Sequence, residues 1–209
     1  MLRFAPEGYP FIFVFGLITA AVALLAGVLS ALLPFVLTLF MLYFFRDPER
    51  KIPEGEGLFV SPADGKIILI RDVFEKEYLK TDAREISIFM SPFNVHVNRA
   101  PCNGIVKAVK HTPGGFRAAY RDEASLTNEN IAMHLGCKSG DILVRQVAGF
   151  LARRAVCRVK VGDELRRGER YGIIKFSSRL DVYLPKDTEI KVKLGDRVKA
   201  GETIIGAIK

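Results

Sequence analysis

A serine pair, an aspartate set in a turn and three histidines are the residues of this 209-residue chain whose types could do covalent or proton-transfer chemistry. Ser177 and Ser178 place two adjacent hydroxyls near the C-terminus. A serine hydroxyl attacks a carbonyl when a base or a strained backbone activates it, although adjacent serines more often bond local backbone in a turn. Asp64 lies in Pro-Ala-Asp-Gly at 62–65, where a carboxylate can move a proton or simply close an Asx-turn. His111 stands beside Thr-Pro-Gly-Gly at 112–115, a turn setting, and His134 sits in Ile-Ala-Met-His-Leu at 131–135, where strand alternation allows either face. His96 is different: it follows a strand-like run and lies within 89–104, a stretch dense in polar and turn-forming residues. No His-x-His pair occurs, and Cys102, Cys137 and Cys157 form no Cys-x-x-Cys. Neither a metal site nor a disulfide framework is therefore expected, and a reducing compartment fits.

Groups so far apart in sequence need a scaffold that converges on them. Short β-type segments at 66–73, 85–90, 104–109, 130–135, 141–147, 158–161, 172–184, 189–194 and 203–208 are bounded by turn residues. Val-Gly-Asp-Glu-Leu-Arg-Arg-Gly-Glu at 161–169 is echoed by Leu-Gly-Asp-Arg-Val-Lys-Ala-Gly-Glu at 194–202, a phrase that resembles the turns of biotinyl/lipoyl-type sandwiches. The fold expected is mostly β, a β-sandwich/barrel with lipoyl-like (barrel-sandwich) topology.

The scaffold is preceded by an uncharged run of 36 residues, 10–45. As one helix it would reach roughly 54 Å, against a hydrocarbon core of about 30 Å. Gly27 and Pro34 near its middle predict two apolar helices, about 11–28 and 31–45, as a hairpin or re-entrant wedge, with a tilted single span as the alternative. The run continues too far for the core of a cleaved signal peptide. The division expected is 1–45 membrane anchor, 46–58 charged Pro/Gly linker and 59–209 β domain. Arg46, Arg50 and Lys51 after the run place the domain on the cytoplasmic side of the cell membrane by the positive-inside tendency. Beside such an anchor, the net charge of +8 is explained by anionic lipid and requires no nucleic acid.

Four stretches in order resemble the phosphatidylserine decarboxylase family in its short prokaryotic form: Phe-Phe-Arg-Asp-Pro at 44–48, Ser-Pro-Ala-Asp-Gly-Lys at 61–66, the His96 stretch ending in Ala-Pro-Cys-Asn-Gly at 100–104, and Phe-Ser-Ser-Arg-Leu-Asp-Val-Tyr-Leu-Pro at 176–185. The resemblance implies a pyruvoyl cofactor made from Ser178 by self-cleavage of the Ser177-Ser178 bond. It implies a β chain, 1–177, and an α chain of 32 residues, 178–209, which stay associated. The implied reaction converts phosphatidylserine in the membrane to phosphatidylethanolamine and carbon dioxide, the ketone accepting the electrons that carbon dioxide leaves behind. Asp64 matches the family's aspartate for self-processing. His96 matches a histidine that can return a proton to the substrate, an imidazole having an unperturbed pKa of about 6.5. Arg99, Arg117 and Lys175, with Arg153 and Arg154, become candidates for the lipid phosphate.

Two positions depart from the family pattern. Ser177 stands where glycine is usual, which leaves the register open by one residue, with Ser177 as the other source of the pyruvoyl group. Arg99 stands where the longer form has a second histidine, so His96 serves processing, decarboxylation or both. An ether-linked archaeal serine lipid would present the same headgroup. A biotinyl/lipoyl-like membrane adaptor is the non-enzymatic alternative, but the chain has no Met-Lys or Lys-Met pair to carry a modification. Self-association into a homo-oligomer is left open.

Overall fold

The computed structural model describes residues 3–115, 128–149, 155–175 and 178–208. Two compact units emerge, Met1–Glu49 and Arg50–Lys209.

In the first unit a short 3-10 turn, Pro6–Gly8, leads into helix α1, Tyr9–Ala26, which is followed by helix α2, Leu32–Phe44. Both are apolar throughout, so nothing in their composition distinguishes a core-facing stripe. Gly27, with φ of +85°, ends α1 at Ala26, two residues before the expected boundary, a conformation that costs glycine least. Thr19 and Thr38 join the two helices through their hydroxyls at 3.0 Å. The open ends of the hairpin also meet, the amide of Ala5 donating to Phe45 O at 2.8 Å and that of Asp47 to Arg3 O at 2.8 Å. α1 is long and apolar enough to cross a membrane; α2 is shorter.

The second unit is built from strands β1 (Leu58–Val60), β2 (Gly65–Glu75), β3 (Thr81–Met90), β4 (Val97–Arg99), β5 (Gly104–Thr112), β6 (Asn130–Gly136), β7 (Ile142–Ala148), β8 (Ala155–Cys157), β9 (Glu164–Leu165), β10 (Arg170–Ile174), β11 (Ser178–Pro185), β12 (Glu189–Ile190), β13 (Arg197–Val198) and β14 (Ile204–Ala207). Eight form one curled sheet in the order β13-β2-β3-β11-β7-β6-β5-β9, closed over by two three-stranded sheets, β1-β14-β12 and β4-β10-β8. This is the mostly β, barrel-sandwich architecture expected. Alternation decides its core: Leu180, Val182 and Leu184 of β11 join Ile86 and Ile88 of β3 and Ile142 and Val144 of β7 on one face, while Arg179, Asp181 and Tyr183 face the other way.

The echoed turns prove to be half of a larger repeat. Each Gly-Asp turn docks on a Pro-x-(Asp/Asn)-Gly segment through matching bonds. Gly195 N donates to Ile67 O and Gly162 N to Val106 O, both at 2.9 Å; Gly201 N donates to Ser61 O and Gly168 N to Ala100 O, both at 2.8 Å. The two segments also grip each other reciprocally, Val60 N to Pro101 O and Arg99 N to Pro62 O, both at 2.9 Å. Gly168 and Gly201 share φ values of +79° and +78°, so the turns agree in backbone as well as bonding.

Several expected segments are corrected. The strand placed at 158–161 lies earlier, at β8, because Lys160 N donates to Asp163 Oδ2 at 2.9 Å and the chain turns there. The run 172–184 is two strands in different sheets, β10 and β11. Of 189–194, the strand proper is Glu189–Ile190, with Lys191 N still donating to Ile205 O at 3.0 Å, before Lys193 opens the second Asp turn.

Candidate active site

Ser178 opens β11, the strand at the middle of the large sheet. It pairs with Met90 on β3 and with Ala148 on β7 and is fully buried. Its Oγ donates to the Met90 thioether at 3.5 Å. A thioether is a weak acceptor, so the hydroxyl is held without being committed to a strong partner. Ser177 lies outside the described residues, as do Arg117, Arg153 and Arg154.

His96 is buried just before β4, and its carbonyl accepts from Ile174 N at 3.3 Å at the end of β10, four residues before Ser178. Its Nδ1 lies 3.0 Å from Asn94 O. A carbonyl can only accept, so Nδ1 carries a hydrogen, which leaves Nε2 as the ring atom that can exchange a proton. Asn94 is itself fixed by Ser91, whose amide and hydroxyl donate to Asn94 Oδ1 at 2.9 and 2.8 Å. The turn 91–94 thus sets the imidazole.

Asp64 precedes β2 at the same end of three consecutive strands, β2, β3 and β11. With one strand between them, and a spacing of about 4.8 Å, the backbones of residues 64 and 178 are roughly 10 Å apart. Asp64 Oδ1 accepts from Ala200 N at 2.7 Å, as Asn103 Oδ1 accepts from Arg167 N at 2.7 Å in the other half of the repeat. The fold therefore needs only an acceptor here, and an asparagine supplies it. The charge of Asp64 is additional and is met by Arg50 Nη2, 3.0 and 2.8 Å from its two oxygens. Arg50 also approaches Glu202 at 3.6 Å.

Arg99 belongs to this framework: it is buried, and Nη1 donates to Gly168 O at 2.9 Å. Lys175 follows β10, half-buried, between His96's partner Ile174 and the serine pair. Of the other histidines, His134 Nε2 meets Asp141 at 2.8 Å and His111 Nε2 meets Glu129 at 3.1 Å, both on β6 or beside it.

Three further residues had not been singled out in the sequence. Asn98 donates to Met90 Sδ at 3.9 Å and accepts from Gln146 Nε2 at 2.8 Å, so an amide pair lies against the thioether that meets Ser178. A glutamine at 146, on the alternate positions shared with Ile142, Val144 and Ala148, was the available signal. Arg179, fully buried, is bonded to Asp181 Oδ1 at 2.5 Å and Ser87 Oγ at 2.8 Å and lies 3.6 Å from Glu85. Burial, with Asp181 and Glu85 adding their negative charge, pushes the nearby Tyr183 hydroxyl far above its ordinary pKa and keeps it protonated.

The cysteine expectation is corrected in one respect. Cys102, just before β5, and Cys137, just after β6, form a disulfide, because their flanking strands are paired; residue spacing alone could not reveal this. Cys157 is a free thiol whose pKa burial pushes up. Among the described residues no cluster of three or more His, Cys, Asp or Glu side chains could hold a metal ion.

The model of the phosphatidylserine decarboxylase family matches residues 37–206. The chain is 50% identical over 204 residues to a protein of Syntrophus aciditrophicus, covering 97% of this chain and 96% of that one. It is 47% identical over 205 residues to one of Geotalea uraniireducens (98% and 96%) and 47% identical over 210 residues to one of Geobacter sulfurreducens (98% and 96%). All three are named phosphatidylserine decarboxylase proenzyme. With the family model matched over most of its residues and relatives matched along nearly their whole length, the chain belongs to the phosphatidylserine decarboxylase family.

Proposed function

We propose that this chain is a membrane-bound proenzyme that cleaves itself between Ser177 and Ser178 and then decarboxylates phosphatidylserine to phosphatidylethanolamine, with the domain on the cytoplasmic side. The observation that carries the reading is the setting of Ser178: a buried strand-leading serine whose hydroxyl faces only a thioether among the described residues.

Self-cleavage is a balanced sequence. Ser178 Oγ attacks the Ser177 carbonyl, and the peptide becomes an ester. Loss of the Ser178 α-proton expels the Ser177 carboxylate, and the dehydroalanine left at 178 takes up water and releases ammonia, leaving a ketone. The site suits that group: its methyl replaces the hydroxymethyl of serine against the apolar Met90 side chain. Asp64, whose charge the turn does not require, is the group proposed to direct protons in this step, with Arg50 holding it in place.

Once formed, the pyruvoyl ketone supplies an electron sink for the bond to carbon dioxide. The chain's own residues do the rest. His96, oriented through Nδ1, takes up a proton from solvent at Nε2 and delivers it to the substrate α-carbon. Lys175 is the candidate for the lipid phosphate that stands nearest in the chain to the reacting residue, and Arg99 supports the adjoining turn. The α chain remains in place through β11, which is bonded on both sides.

Intact mass spectrometry tests the reading. Wild-type protein should appear as chains of 177 and 32 residues, the smaller one blocked at its N-terminus. Ser178→Ala should remain one chain and release no carbon dioxide from phosphatidylserine. A Ser178→Ala protein that still splits and decarboxylates would end the proposal.

A further inference from the structure

Gln146 lies on the core face of β7, between Val144 and Ala148, and is only 1% exposed. An amide on an apolar face is costly unless both its ends are bonded. One end is: Nε2 donates to Asn98 Oδ1 at 2.8 Å and to Val156 O at 3.3 Å. Because Val156 O can only accept, the nitrogen must face it, which fixes the orientation of the amide. The other end, Oε1, is buried and has no hydrogen-bond partner among the described residues.

Register places this acceptor beside the reacting residue. Gln146 pairs with Leu180 and Ala148 with Ser178, so Gln146 is the diagonal neighbour of Ser178 on the same face of the sheet. Diagonal neighbours stand about 7–8 Å apart, within reach of a long side chain. Asn98, the partner of its amide nitrogen, touches the same Met90 Sδ as Ser178 Oγ does.

Resting on the function proposed above, we infer that Gln146 Oε1 is the acceptor for the primary amine of the substrate headgroup as it approaches residue 178. Of the headgroup's polar groups, carboxylate and phosphate only accept hydrogen bonds, whereas the amine donates. It is also the group that must reach the ketone. The same oxygen would repel a carboxylate, so Gln146 sets which end of the serine headgroup enters.

The test uses processed protein treated with borohydride, whose hydride reduces the ketone at residue 178 to an alcohol, so that lipid binds without turnover. Calorimetric affinities are compared for dihexanoyl phosphatidylserine and for the same lipid with a hydroxyl in place of the amine. The wild-type protein should prefer the amine on the order of 10-fold or more, as expected for a hydrogen bond to a charged group. Gln146→Met should bring the ratio near one, while Gln146→Glu, which keeps an acceptor, should preserve it. Equal affinities in the wild-type protein, or a preference that survives in Gln146→Met, would overturn the inference; the wild-type comparison decides it even where the Met variant fails to fold. A protein that never splits, or that gains no hydride mass, refutes the proposed function itself, and the inference falls with it.

Discussion

Arg179 is the residue at which stability and the proposed chemistry meet, because it follows Ser178 and is wholly buried among charges. Asp181 and Glu85 answer its guanidinium, and Arg71 in turn answers Glu85 at 2.6 Å. Removing one member of such a set leaves a buried charge uncompensated, at about 3–5 kcal/mol, whereas removing both partners of a pair is often nearly neutral. In the uncleaved Ser178→Ala protein, Arg179→Met should therefore lower unfolding stability in urea by several kcal/mol, and Arg179→Met with Asp181→Leu should recover much of it. A double variant no more stable than the single would show that packing, not charge pairing, holds the site. His96 makes a different prediction. If its ring acts after carbon dioxide leaves, His96→Ala should still split into two chains by mass yet decarboxylate about 10²–10⁴-fold more slowly; loss of splitting would assign it to processing.

The repeated turns separate what the fold requires from what is added to it. Asn103→Ala removes the acceptor for Arg167 N and should cost about 1–3 kcal/mol without affecting self-cleavage. Asp64→Asn keeps the bond from Ala200 N but removes the charge facing Arg50, so it should fold near-normally and cleave slowly; normal cleavage on a mass time course would remove the carboxylate from the chemistry. Elsewhere a carboxylate serves stability alone. Burial works against the charge of Asp141, after β6, but Lys107 and His134 outweigh it and hold the carboxyl below its ordinary value. A depressed carboxyl stabilises the fold above its unfolded pKa of about 3.9, and that contribution disappears as pH falls through the folded value. The urea-stability gap between wild type and Asp141→Asn should thus be present at about pH 6 and close below about pH 4. These elements also show what the sequence could reveal. The Gly-Asp turns were legible because glycine and aspartate declare a turn locally. Their docking partners were not, although 62–65 and 101–104 share Pro-x-(Asp/Asn)-Gly, because the bonds that equate them cross from 60–67 to 194–203 and from 99–106 to 161–168. Ser178, His96 and Asp64 were singled out by the family-like stretches around them, whereas Gln146 and Asn98 acquire meaning only through register.

At the scale of the whole molecule, the apolar hairpin returns to its starting side. Ala5 and Phe45 are hydrogen-bonded at 2.8 Å, so under the proposed membrane anchoring the residues on either side of the hairpin would leave the bilayer together. Tags before residue 3 and after residue 209 should show the same protease accessibility in sealed vesicles, and opposite protection would mean a single crossing. Removal of residues 1–45 should shift the protein out of the membrane fraction, since the apolar surface of α1 is otherwise left in water. The arrangement of the C-terminal strands has a kinetic consequence. β11, β13 and β14 lie in the 32-residue piece, yet their hydrogen-bond partners β3, β7, β2 and β1 lie in the other. A proenzyme folds as one chain, by a first-order process. Under the proposed cleavage, opening the 177–178 bond makes every later refolding a second-order encounter between two polypeptides, slower at each dilution, and the loss of ammonia prevents the original chain from being restored. Refolding half-times of the processed protein should shorten as concentration rises, while those of Ser178→Ala should stay constant; after maturation, the molecule keeps its fold by not unfolding.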